Sequence, residues 1–152
     1  MLMKVNPEYT VTTETFDTIT AYWSDPAHQL KWDCLFVVPG WMKVWWQILG
    51  SGLEPHLCSI RHNDKLVGIA PLLFQGGEAR LIGSPDVCDY LDFIVTPGSE
   101  RVFFQHLIPY LRQQGISRLD LGVVRAGSVI LSDLFEVARS LDCTAFSESE
   151  YV

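Results

Sequence analysis

Residues 57–83, "LCSIRHNDKLVGIAPLLFQGGEARLIG", decide the fold, because they read as consecutive strands joined by tight turns. The first of these segments, residues 56–62, alternates along the chain. Cys58 and Ile60 fall on one side and Leu57 and Ser59 on the other, as in a half-buried strand. The segment therefore predicts the first strand of an antiparallel meander.

Turn residues divide the rest of the meander. Asn63–Asp64 favours a tight turn, and the nearly uninterrupted apolar run at 65–74 predicts a strand buried on both faces. Pro71 cannot donate a hydrogen bond to the ladder, so we expect a bulge or an edge-facing position there. Gly76–Gly77 then turns the chain into another strand, "EARLIGS", at 78–84.

Helical patterns flank the meander on both sides. Phe16, Ile19 and Trp23 predict a first helix that ends at Asp25–Pro26. Residues 39–50, "PGWMKVWWQILG", predict a second helix that starts at its proline and ends at its glycine. Its buried stripe is expected to consist of Trp41, Val44, Trp45, Ile48 and Leu49, with Trp46 beside it.

The second half of the chain alternates between strands and helices. "LDFIV" at 91–95 and "RLDLGVV" at 118–124 are the predicted strands. A helix over 99–114, closed by Gly115 and kinked at Pro109, lies between them. A last helix is capped by Ser128, and its stripe contains Ile130, Leu134, Ala138 and Leu141.

Composition limits the classes of protein to consider. With 152 residues, 48% of them hydrophobic, the chain can build one domain with a real core, and we expect a single domain over 1–152. A net charge of −7 disfavours nucleic acid as a partner. No apolar stretch approaches the roughly 20 residues that span a bilayer, and no signal sequence is evident, so we expect a cytoplasmic protein.

Metal binding and hydrolase chemistry find no support in the sequence. No two cysteines show C-x-x-C spacing, and the histidines are dispersed without a ligand pattern, so no metal site is expected. A G-x-S-x-G elbow does not occur. The residues concerned are Cys34, Cys58, Cys88, Cys143, His28, His56, His62 and His106.

A polar group precedes the strand at 91–95. Tyr90 and Asp92 fall on one face of an extended chain, so they can converge and, with Asp89, line a cleft for the amine of an acceptor substrate. The alternative is structural: Asp89 caps a turn and Tyr90 is a half-buried core aromatic. Both interpretations stay open at the level of sequence.

The loop that follows Val95 raises the question of phosphate binding. Amides at the start of a helix lack partners within the helix and bind anions readily. Gly98 and Ser99 could present such amides, and Arg101 could add a positive charge. However, the loop has only one glycine, and Glu100 brings negative charge to the same turn.

The wording of four segments resembles a known family. "PGWMKVWW", "KLVGIAPLLF", "LIGSPDVCDYLDFIV" and "RLDLGVV" together resemble the amino-terminal half of FemAB-like and CelD-like proteins, a branch of the GNAT acyltransferase superfamily. The resemblance covers residues 15–150. It implies an α/β (α+β) fold with a mixed, mostly antiparallel central sheet and helices on both faces. It also implies that the chain is one half of a tandem pair and that the branch works in cellulose biosynthesis and cell-envelope acyl transfer.

The resemblance also supplies a functional expectation. GNAT units bind coenzyme A through a Q/R-x-x-G-x-G/A motif, and the loop containing Val95, Gly98, Ser99 and Arg101 would be a degenerate version of it. The expected function is N-acyl transfer from acetyl-CoA or another acyl-CoA to a small-molecule or cell-envelope amine, with the catalytic residues unknown. The alternative is a non-catalytic GNAT-like domain that supplies an acceptor cleft or a dimer face. The expected partner is a missing carboxyl-terminal GNAT domain or a second copy.

Overall fold

The computed structural model describes residues 8–50, 52–128 and 130–148. The strands in this part of the chain are β1 Tyr9–Glu14, β2 Glu54–His62, β3 Lys65–Gln75, β4 Glu78–Leu81, β5 Ile94–Val95 and β6 Arg118–Asp120. The helices are α1 Phe16–Ser24, α2 Pro39–Leu49, α3 Glu100–Gln113 and α4 Phe135–Ser140. A short 3₁₀ turn, Leu35–Val37, precedes α2, and a π-helical turn, Ile130–Leu134, leads into α4.

The strands form one mixed, mostly antiparallel sheet in the order β1-β2-β3-β4-β6. The exception to the antiparallel pattern is the pairing of β4 with β6, which is parallel. β5 also pairs with β3, but at the opposite end from β4: Gly68 lies opposite Val95, whereas Leu72 lies opposite Leu81. The two halves of β3 therefore have different neighbours on one side.

The expected bulge at Pro71 is displaced. The register of the β2–β3 pair shifts at Ile60/Arg61, and Pro71 pairs regularly with Leu57. On its other side, Pro71 falls between the segment that pairs with β5 and the segment that pairs with β4. Its missing N–H costs little there, because that stretch of β3 has no continuous ladder neighbour.

Side-chain alternation places helices on both faces of the sheet. Ser59 of β2 donates to Glu14, which also accepts from Tyr22 of α1. His56, on the opposite side of β2, bonds Tyr110 of α3 at 2.6 Å. α1 and α3 therefore cover opposite faces. On the α3 face, a Cβ at Gly68 would lie 2.6 Å from the Phe103 ring, so the helix packs closely there because this residue is glycine.

Helix and turn positions agree with the sequence better than burial does. α2 spans Pro39–Leu49 with Gly50 at its end, as expected. Its expected buried stripe is correct only for Trp45: Met42 is the other buried apolar residue of this pattern, while Trp41, Val44, Ile48 and Leu49 are exposed. Because α2 is apolar nearly all round, its sequence does not indicate which side faces the core.

Several strand predictions also need correction. β2 is not half-buried, since residues 57–60 are all buried between helices on the two faces. The strands predicted at 78–84, 91–95 and 118–124 shorten to β4, β5 and β6. The π-helical turn replaces the first turn of the predicted last helix, although the Ser128 hydroxyl accepts a hydrogen bond from the Ile130 amide as a cap does.

Candidate functional site

A cavity lies where β4 and β6 separate. The two strands pair in parallel as far as Arg80 and Asp120, and the chain segments that follow them diverge. Between these segments is a cavity of about 210 Å³, lined by Arg80, Leu81, Gly83, Ser84, Pro85, Cys88, Leu91, Asp120, Leu121, Gly122 and Val123. At its far end, the Leu91 amide donates to the Val123 carbonyl at 3.0 Å and rejoins the two sides.

A charged cluster lies just beyond that hydrogen bond. Arg125 Nη2 lies 3.4 Å from Asp33 Oδ1 and 3.9 Å from Asp92 Oδ2, so one guanidinium serves two carboxylates. The same guanidinium covers the Tyr90 ring, 4.4 Å from its centroid. Lys31 pairs with the other Asp33 oxygen at 3.4 Å. We call Asp33, Tyr90, Asp92 and Arg125 the Arg125 cluster.

Burial governs the chemistry of Asp92. Its side chain is almost fully buried, which raises the pKa of the carboxyl above its ordinary value. The Phe93 amide donates to Asp92 Oδ1 at 2.9 Å, and Ser128 and Arg125 also stabilise the charged form, but burial outweighs them. Asp92 therefore holds a proton more readily than an exposed aspartate does.

The structure brings together two of the three predicted acceptor-site residues. Tyr90 and Asp92 meet through Arg125, whereas Asp89 is exposed on the preceding loop. Asp33 and Arg125 did not stand out in the sequence. They lie on segments far from Asp92 along the chain, so no local spacing could have identified them.

The predicted donor loop forms a turn into α3. Val95 is a buried β5 residue, Gly98 has φ of +88°, and the Ser99 amide donates to the Thr96 carbonyl. The side chain of Ser99, the N-cap residue, makes no capping hydrogen bond to α3. Arg101 points to Glu136 of α4, with 2.8 Å between Nη2 and Oε2.

Two further classes of site find no support in the described residues. No group of three or more His, Cys, Asp or Glu side chains is placed to hold a metal ion in residues 8–50, 52–128 and 130–148. Over the same ranges, no helix has the length and apolarity needed to cross a membrane.

Matches among solved structures include two bacterial acetyltransferases. The ribosomal-protein-S18-alanine N-acetyltransferase of Escherichia coli matches with a TM-score of 0.50 and 19% identity, over 88% of this chain and 76% of that chain. The ribosomal-protein-alanine N-acetyltransferase of Brucella melitensis biovar Abortus 2308 matches with a TM-score of 0.43 and 12% identity, over 95% and 96%. No family model and no curated protein matches the sequence.

The E. coli likeness bears on the fold. The chain shares its fold with that protein, and its mixed, mostly antiparallel sheet with helices is consistent with a GNAT-like fold. The predicted fold class is therefore confirmed. The assignment to the FemAB-like and CelD-like branch stays a prediction. So do the predicted site residues.

Proposed function

We propose that this chain is a GNAT-type N-acyltransferase unit, or the amino-terminal half of such an enzyme, that moves an acyl group from acetyl-CoA or another acyl-CoA to an amine. One observation carries the proposal: β4 and β6 pair and then separate around a cavity of about 210 Å³. Diverging strands leave backbone N–H and C=O groups without ladder partners. An extended acyl donor that contains amides can form hydrogen bonds with such groups.

The Arg125 cluster suits the acceptor. Asp33 and Asp92 share the positive charge of Arg125. A substrate ammonium can therefore bind to the carboxylates without displacing all of their ion pairing with Arg125. The reaction needs the neutral amine. Its nitrogen attacks the thioester carbonyl, the C–N bond forms as the C–S bond breaks, the nitrogen loses a proton and coenzyme A leaves as its thiol. The raised pKa of Asp92 suits it to accept that proton and to pass it to the sulfur of the leaving coenzyme A.

A second candidate function has its own support. Arg101 is engaged by Glu136, and Glu100 brings negative charge to the first turn of α3, so the loop offers phosphate little positive charge. The Leu91–Val123 hydrogen bond also limits the length of the cavity. These contacts favour a non-catalytic domain that presents the Arg125 cluster to a small-molecule or cell-envelope amine, while a carboxyl-terminal GNAT domain or a second copy supplies the donor.

Calorimetric titration with acetyl-CoA separates the two functions. For the acyltransferase unit we expect saturable binding that weakens at least about tenfold in Ser99→Leu, because a bulky side chain would crowd the first amides of α3. Ser132→Leu, on the π-helical turn, serves as a surface control. Circular dichroism checks that each variant is folded.

The negative outcome is equally informative. A folded wild-type chain that gives no heat at millimolar acetyl-CoA would reject donor binding by this domain and leave the acceptor-domain function. Binding that is the same in wild type and Ser99→Leu would move the donor away from the loop at 96–99.

A further inference from the structure

The exposed side of α2 carries an apolar surface that neither proposed function uses. Val44 is 52% exposed and Ile48 is 70% exposed, and Trp41 lies on the same stripe of the helix. Leu35, in the turn before α2, is exposed as well. We call Leu35, Trp41, Val44 and Ile48 the α2 surface.

We propose that the α2 surface is the contact between two copies of this chain, related by a twofold axis that passes near Val44. This inference concerns assembly and does not depend on acyl-CoA binding. A twofold axis pairs the same helix of the two copies in antiparallel orientation. An apolar stripe along that helix then packs against the same stripe of the partner, so the surface is self-complementary.

The size of the surface fits such a contact. If a fully exposed large side chain offers roughly 150–250 Å², the α2 surface amounts to about 400 Å² of apolar area. That matches the largest patch on a typical monomer, roughly 300–600 Å², and supplies about half of the roughly 800 Å² that each partner buries in a standard interface.

Charge also favours a second copy. The chain has a net charge of −7, so two copies repel each other unless the surfaces that meet are free of acids. α2 contains no Asp or Glu, and its one charged residue, Lys43, lies 4.0 Å from Asp17 of α1. Two α2 helices can therefore approach without bringing carboxylates together.

Gly40 gives the contact a specific packing. Gly40, Val44 and Ile48 are four residues apart and form one ridge of the helix. A Cβ at Gly40 would meet nothing within 4 Å, so no contact inside the chain requires glycine there. In an antiparallel pair centred on Val44, Gly40 of one copy faces Ile48 of the other, and the missing side chain makes room for the large one.

The α2 surface is also connected to the candidate site. Phe36 packs edge-on against Trp41 at 5.3 Å and against Tyr90 at 5.4 Å. Tyr90 in turn lies beneath Arg125. Pairing through α2 would therefore fix the aromatic wall of the Arg125 cluster.

Sedimentation equilibrium from about 1 to about 200 µM tests the proposal on the full chain. We expect a monomer–dimer equilibrium for wild type. In Ile48→Glu we expect the dissociation constant of the dimer to be at least about tenfold higher. The matched control is Phe146→Glu, which puts the same charge at an apolar residue that is 80% exposed outside the α2 surface. We expect the control to dimerise like wild type.

Two more variants test the packing. Gly40→Ala should raise the thermal stability of the chain, since alanine favours helix, yet weaken dimerisation. In a Cys143→Ser background, Val44→Cys should form a disulfide between copies under mild oxidation, because residues on the axis approach within about 7 Å. Lys43→Cys, which lies about 100° around α2 from Val44, should not. The other cysteines, Cys34, Cys58 and Cys88, are buried.

The opposite results overturn the proposal. A wild-type chain that stays monomeric at the highest concentration would reject a second copy and leave the α2 surface to a different protein domain. Equal effects of Ile48→Glu and Phe146→Glu would place any dimer contact elsewhere. Dimerisation that is unchanged by Gly40→Ala, or a dimer in which Val44→Cys fails to cross-link, would reject the antiparallel packing on Val44.

Discussion

Two polar clusters in this molecule each contain a buried carboxylate, an arginine and a tyrosine. They differ in how fully the hydrogen bonds and charges of their carboxylates are satisfied. In the first, Glu14 accepts hydrogen bonds from the hydroxyls of Ser59, Thr18 and Tyr22 at 2.6, 2.7 and 2.9 Å. Arg61 lies 3.7 Å from Glu14 and covers the Tyr22 ring. In the second, Asp92 and Asp33 share Arg125, which covers the Tyr90 ring, and the exposed Lys31 also pairs with Asp33.

The difference indicates which cluster can bind a ligand. The Glu14 side chain is only 3% exposed, and three hydroxyls and an arginine surround it, so it has no capacity for another partner. The Asp92 side chain is 9% exposed, but its arginine is shared with the half-exposed Asp33. The Glu14 cluster therefore joins β1, β2 and α1, and the Arg125 cluster remains able to accept a cationic group.

The largest expected effect on stability comes from removing the carboxylate of the Glu14 cluster. Glu14→Ala should lower the free energy of unfolding by about 3 kcal/mol, because Arg61 and three hydroxyls lose a buried acceptor. Asp33→Ala is the matched change in the Arg125 cluster, and it should cost less than about 1 kcal/mol, since Asp33 is half exposed and solvent screens its pairs. Urea unfolding of both variants measures the difference. Equal losses would contradict the contrast between the clusters.

A smaller effect tests the burial of Asp92. Its folded pKa is raised, so the protonated carboxyl favours the fold, and that stabilisation is present below the ordinary value of 3.8 and lost as the pH rises through the folded pKa. Asp92→Asn has no carboxyl to ionise, so its stability does not fall in this way. We therefore expect the free energy of unfolding of the variant to rise relative to wild type as the pH rises above about 4. At pH 7 the two should differ by less than about 1 kcal/mol.

The measurement for Asp92 is unfolding by urea at a series of pH values. Ser128→Ala provides a comparison, because it removes a hydrogen bond to Asp92 and keeps the titrating carboxyl. A variant Asp92→Asn that loses stability relative to wild type as the pH rises would show that Arg125 and the hydrogen bonds outweigh burial.

The smallest effect gives a reference outside both clusters. His106 of α3 stacks on Tyr9 at 4.2 Å, and burial lowers the pKa of this imidazole. Its contribution to stability is present above pH 6.5 and is lost as the pH falls through that value toward the folded pKa. His106→Gln should therefore flatten the fall in stability between about pH 7.5 and 5.5, by less than about 1 kcal/mol.

Unfolding by urea at these pH values measures the His106 effect, with His28→Gln as the control for a histidine outside the stack. A slope that is unchanged in His106→Gln would assign the pH dependence to other groups. His56, whose pKa is also lowered by burial, is the first of these to examine.

The sequence predicted the order of the elements from α1 onward and several of their ends, but not the strand β1. Pro39 and Gly50 marked α2, and Gly76–Gly77 marked the turn into β4, because proline and glycine impose backbone conformations that do not depend on distant contacts. β3 was recognised as buried on both faces from its apolar run. Of the candidate site, alternation along the chain predicted that Tyr90 and Asp92 can converge, and their role in binding an acceptor stays a prediction.

Tertiary structure alone decided which surfaces and charges meet. The buried side of α2 contains Met42 and Trp45, and the rest of the predicted stripe is exposed, because an apolar helix can pack either way until its neighbours are in place. Asp33 and Arg125 join Asp92 from distant segments, and β4 and β5 each occupy one half of β3. Local patterns determine backbone conformation, whereas these arrangements depend on contacts between residues that are far apart in the chain.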